Sequence, residues 1–117
     1  MGNFKELHVW QKAKDLAVKV YKLTDSGHFI KDFGLKDQMR RSSVSIPSNI
    51  AEGDDLDTDK QSIRYFYIAK GSTAELFTQL TIAFEIGYLT NETSDSLIND
   101  CKVISVMLTK LIKARSN

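Results

Sequence analysis

The chain has 117 residues, 42% of them hydrophobic, with Lys plus Arg at 16 and Asp plus Glu at 15, for a net charge of +1. That length suits one compact domain, and that apolar fraction excludes a wholly disordered chain. The near balance of charge excludes the strong basic excess of a dedicated nucleic-acid binder, although a local patch can still form. One proline (Pro47) and six glycines favour long helices over a many-turned β protein. A single cysteine, Cys101, allows no disulfide within the chain, so a reducing, cytoplasmic setting is expected. The opening MGNFKELHVW has no apolar core of a signal peptide. Met1-Gly2 opens like a myristoylation site, but Glu6 stands where Ser or Thr is needed. No apolar run approaches the ~20 residues that cross a bilayer.

The elements follow in chain order. Trp10, Ala13, Leu16, Ala17, Val20 and Tyr21 recur at helical spacing and predict a helix over about residues 5–24. Its other side carries Lys12, Asp15, Lys19 and Lys22, with Lys14 nearby. Gly27 is placed to take a left-handed cap after it. A second helix is predicted over about 32–52, with Asp32 as N-cap and Leu35, Met39, Ile46 and Ile50 on its core face. The acidic GDDLDTD, residues 53–59, reads as a break. A third helix is predicted over about 58–87, with Phe66, Ala69, Thr73, Leu76, Phe77, Leu80, Ala83 and Phe84 in one stripe and Gly87 at its end. A fourth, capped by Thr90, is predicted over about 91–114, lined by Leu97, Cys101, Ile104, Leu108, Leu111 and Ile112. The tail from Lys113 to Asn117 is expected to fray. Short connections favour antiparallel neighbours, so the expected fold is all-α, a single up-and-down four-helix bundle.

Three helices carry more apolar surface than one bundle needs. At 100° per residue, Ile68, Ile82 and Ile86 stand roughly opposite the core stripe of the third helix. Val103, Val106 and Met107 fall outside the main face of the fourth. Val44, Pro47 and Ala51 form a smooth ridge away from the core of the second. Contiguous apolar surface marks an interface, so a homo-oligomer is predicted, with these residues between subunits.

The stretch RRSSVSIPSNIAEG, residues 40–53, is where chemistry would be sought. It lacks the glycines of a phosphate loop and the Gly-x-Ser-x-Gly of a nucleophile elbow. His8, His28 and Cys101 show no metal-ligand spacing, and neither histidine has a carboxylate partner that spacing can identify. No catalytic residue, metal site or cofactor is expected. The stretch reads instead as a closely packed helix. Arg41, Ser45, Ser48 and Glu52 share a side, with Arg41 and Glu52 too far apart to pair. Ser42 and Asn49 flank the core face, where Asn49 can bond across to a neighbour. Pro47 withdraws the partner of the Ser43 carbonyl and predicts a kink, at about 3 kcal/mol in an ordinary helix interior.

Four motifs in order resemble a known family: L-x-V-W-Q-K-A from Leu7 to Ala13 with Trp10 inside it, F-G-L-x-x-Q-x-R-R from Phe33 to Arg41, S-I-P-S-N-I-A-E-G from Ser45 to Gly53, and I-A-x-G-S-x-x-E-L from Ile68 to Leu76. Together they resemble the four-helix-bundle proteins encoded in intervening sequences of bacterial 23S ribosomal RNA genes. That family includes the accessory variability determinant of diversity-generating retroelements. The resemblance implies a small all-α subunit assembled into a ring, typically a homopentamer, without enzymatic activity. It also implies RNA, DNA or a reverse transcriptase as candidate partners, because the retroelement member works with that enzyme through a strongly basic surface. Trp10, Arg40, Arg41, Asn49, Glu52 and Gly53 match the motifs and are expected to be structural.

The present chain departs in charge. Residues 1–31 hold an excess of three positive charges and residues 54–89 an excess of three negative ones. Any nucleic-acid contact is therefore expected on Lys12, Lys14, Lys19 and Lys22, multiplied by the copies in a ring. The competing expectation is a purely structural or protein-scaffolding assembly that binds no nucleic acid.

Overall fold

The computed structural model describes residues 3–56 and 58–116. Met1, Gly2, Asp57 and Asn117, used in the reading above, lie outside them. Four helices make the fold: α1 (His8–Leu23), α2 (Phe33–Asp54), α3 (Asp59–Glu85) and α4 (Asn91–Arg115). Short 3₁₀ turns at Phe4–Glu6 and Gly27–Ile30 precede α1 and α2, and no strand occurs among the described residues.

Each helix starts and stops for a local reason. The Asp32 carboxylate accepts from the Leu35 amide at 3.1 Å and opens α2. Thr58 and Thr90 accept from the Gln61 and Thr93 amides at 3.3 and 3.2 Å and open α3 and α4. Gly27 and Gly87 take φ of +63° and +86° between helices, conformations that a Cβ disfavours. Helix α1 begins three residues later than predicted, because residues 4–6 form the 3₁₀ turn instead. Gly53 and Asp54 belong to α2 rather than to the acidic break.

The order of packing is α1 on α2, α2 on α3, α3 on α4, with α4 returning to α1. Contacts between the helix ends give the direction. Tyr88, just past α3, donates to the Asp32 carboxylate at the start of α2 at 2.9 Å. Arg115, in the last turn of α4, donates to Asp54 in the last turn of α2 at 2.7 Å. Neighbours therefore run antiparallel, and Arg115 holds in helical form a tail that was expected to fray. Its guanidinium also lies 5.3 Å from the centroid of Phe66.

Leu16, Val20, Met39, Ile46, Ile50, Leu76, Leu80, Ile104 and Leu108 are buried and fill the interior. Several hydroxyls are buried beside them. Ser42, Ser43, Ser62 and Thr73 each donate to a carbonyl three or four residues earlier, at 2.9, 2.9, 3.1 and 2.8 Å. That local bond satisfies the hydroxyl, so a small side chain can occupy a tight interhelical position without an unpaired group. Between α2 and α3, Ser45 and Ser72 pair across the gap at 2.8 Å. Asn49, expected to bridge that gap, donates to the Ser45 carbonyl and hydroxyl of its own helix instead.

Three apolar placements differ from the expectation: Tyr21, placed on the apolar face of α1, is exposed, with its ring under Arg40. Pro47 is buried within the chain's own fold, not part of an outward ridge, and α2 runs through it without a break. It stands seven residues after Arg40, on the flank of α2 turned to α1. Phe84, placed in the core stripe of α3, is exposed in its last turn.

Candidate functional site

The residues expected to carry function fall into three surfaces. The first is basic. Lys12 and Lys19 lean towards α4, where both meet Asp100, at 3.9 and 3.1 Å. Lys14 lies on the other flank of α1 and pairs with Asp15 at 2.8 Å. That hydrogen bond holds the Asp15 carboxyl below its ordinary range, helped by the charges of Lys14, Lys19 and Lys12. Lys22 is exposed without an ion pair. The four lysines thus do not form one free stripe, and three of them have a carboxylate within 4 Å.

The second surface is apolar. Ile68, Ile82 and Ile86 on α3 are 44%, 47% and 52% exposed. Ile68, Glu75 and Ile82 recur every seven residues and so stand in one row. Val44 is exposed on α2 and Ala51 half-buried.

The third is a groove of about 550 Å³ between α3 and α4, lined by Ala74, Phe77 and Thr78 on one side and Lys102, Ser105 and Val106 on the other. Val106 is 55% exposed and Val103 half-buried. Cys101 closes the floor, only 1% exposed. Burial, followed by the charge of Asp100, pushes its thiol up to about 12. At neutral pH it is a small hydrophobe rather than a nucleophile.

The motif residues divide between packing positions (Trp10, Arg40, Asn49 and Gly53) and the exposed surface (Arg41 and Glu52). Arg40 reaches α1, donating from Nε to the Thr24 hydroxyl at 2.9 Å and from Nη2 to the Tyr21 carbonyl at 3.2 Å. Arg41 is exposed and pairs within its own helix, with Asp37 at 3.5 Å, rather than across to a neighbour. Trp10 is half-buried with Phe4 against its ring, centroids 5.3 Å apart. Glu52 is exposed, and Gly53 is buried against Phe66. His28 stacks on Tyr88 with centroids 5.1 Å apart. The hydrogen bond to Asp32 raises the Tyr88 hydroxyl above its ordinary range.

Among the described residues, no three His, Cys, Asp or Glu side chains group in a way that could hold a metal ion. None of their helices is long and apolar enough to cross a membrane. Sequence reasoning missed the shared Asp100, because a carboxylate 81 residues from Lys19 leaves no local signal. It also missed the serine pair between α2 and α3.

No functionally curated protein matches the chain. Among solved structures, the chain is similar to a protein of unknown function from the S23 ribosomal protein family of Bacteroides thetaiotaomicron. The TM-score is 0.84 at 28% identity, over 90% of this chain and 98% of that one. The family of 23S rRNA-intervening sequence proteins matches residues 5–110, and the chain belongs to it.

Proposed function

We propose that the chain is a non-catalytic module that works by assembling with copies of itself. One observation carries this reading: Ile68, Ile82, Ile86 and Val106 are roughly half in water on a subunit whose core is already full. Apolar area returned to water costs about 25 cal/mol per Å², so covering these faces favours association. The family resemblance supports a ring, with five subunits as the expected number.

A second reading, contact with RNA or DNA, rests on the lysines of α1. The carboxylate partners of Lys12, Lys14 and Lys19 would have to be displaced or shared, so those phosphate contacts are weaker than that of the unpaired Lys22. The assembly reading is favoured over it, with a protein partner or scaffold role following from the same surfaces.

Light scattering at micromolar concentration tests the first reading. The expected mass is a multiple of the 13.2 kDa subunit, and a single-subunit mass overturns it. Filter binding to structured ribosomal RNA across a salt series tests the second. Binding that falls steeply with salt supports phosphate contact, and no binding at low salt removes it.

A further inference from the structure

Phe77 and Val106 line the α3/α4 groove, and the small side chains of Ala74 and Ser105 leave room between them. The groove's one charged lining residue, Lys102, is exposed and makes no ion pair. On the outward face of α3, Ile68, Glu75 and Ile82 stand in one exposed row, and Glu75, which also lines a shallow hollow with Arg41 and Asp37 of α2, makes no ion pair. The exposed neighbours of Glu75 on α2, Arg41 and Asp37, neutralise each other, so Glu75 is the row's net charge.

We propose that the groove of one copy receives the Ile68–Glu75–Ile82 row of a second copy, with Glu75 meeting Lys102 across the joint. The inference rests on the self-assembly proposed above and names its contact surfaces. Placement supports it, because an apolar hollow and a row of two exposed isoleucines about Glu75 lie on different sides of the same helix. Charge supports it too. Lys102 and Phe77 line the same groove and so stand at similar heights. Glu75 lies two residues before Phe77, about 3 Å along the axis. Two bundles side by side at equal height therefore bring Glu75 of one copy within about one turn of Lys102 of the next. The joint uses two different surfaces, so each copy keeps one groove and one row to offer. Such a contact repeats from copy to copy rather than stopping at a two-fold dimer, and it gives a ring where the rotation between copies closes.

Charge reversal and cross-linking test the joint. Glu75→Lys and Lys102→Glu should each raise the concentration at which the assembly half-dissociates, by about fivefold or more, and the double reversal should restore it. Glu75→Cys combined with Lys102→Cys should give a covalent ladder on mild oxidation, whereas either change alone should not. Cys101 is buried and stays out of that reaction. Circular dichroism of each variant confirms retained helix. A wild type of single-subunit mass overturns both the assembly and the joint. An intact assembly showing neither rescue nor ladder overturns the joint and leaves the assembly standing.

Discussion

Arg40 of α2 lies over the ring of Tyr21 of α1, its guanidinium carbon 4.4 Å from the centroid, while donating to the Tyr21 carbonyl. The same side chain donates to the buried Thr24 hydroxyl, which in turn donates to the Val20 carbonyl at 2.7 Å. One planar cation thus stacks, donates twice and sits at the C-terminal, negative end of α1. Its approach to Asp25, at 4.0 Å, matters little, because that carboxylate is 86% exposed. Arg40→Lys should lower stability by about 1–2 kcal/mol, while Asp25→Ala should change it by less than about 0.5 kcal/mol. Urea unfolding midpoints of the two variants measure the contrast.

Gly53 sits at a close contact between α2 and α3. A Cβ built there would lie 2.8 Å from one carbon of the Phe66 ring and 3.0 Å from the Ser62 carbonyl oxygen. The ring is in the core and the carbonyl is backbone, so neither yields cheaply. Gly53→Ala gains helix propensity, about 1 kcal/mol, but overpacks the contact by about 1–3 kcal/mol. The expected net is a loss of stability, read as a lower thermal midpoint. Gly71→Ala, with no atom within 4 Å of its Cβ, should raise the midpoint instead.

Gln79 is 9% exposed on α3, and its Oε1 is buried without a hydrogen-bond partner. An unpaired buried oxygen costs about 1–3 kcal/mol, whereas an apolar side chain of similar length leaves nothing unpaired. Gln79→Met is therefore expected to stabilise the fold by about 1 kcal/mol, measured by denaturant unfolding.

The Cys101 thiol should resist modification in the native protein at pH 8 and react fully once the chain is unfolded. Its folded value, about 12, stands above the ordinary 9.0, so the neutral thiol is favoured in the fold. Below pH 9 both states hold the proton and nothing is lost. As pH rises from 9 towards 12 the unfolded thiol ionises first, and stability falls by an amount of the order of 4 kcal/mol. Cys101→Ala should remove that part of the alkaline slope, whatever its effect on packing at pH 7.

Much of the fold is legible in the residues because helix ends and core faces carry local signals. Asp32, Thr58 and Thr90 cap by reaching an amide three positions on, and Gly27 and Gly87 relax a left-handed turn. The misplaced residues depend on what lies opposite. A wheel gives the direction of Phe84 but not how far the neighbouring helix extends to cover it. Pro47 lies on the edge of the core face, and the side that α1 takes decides its burial. The 3₁₀ turn at Gly27–Ile30 was too short to show a period. The surface sites were partly legible: the isoleucines of α3 stand out by spacing alone. The groove and the shared Asp100 were not, since the first needs α3 and α4 in their packed register and the second sets α4 beside α1, 81 residues from Lys19.

Sedimentation equilibrium of the wild type beside an Ile68→Asp, Ile82→Asp double variant tests self-assembly through α3 most directly. The wild type is predicted to sediment as a closed multiple of 13.2 kDa and the variant as a folded single subunit. A wild type that sediments at 13.2 kDa, or a variant that keeps the full assembly, would contradict the account.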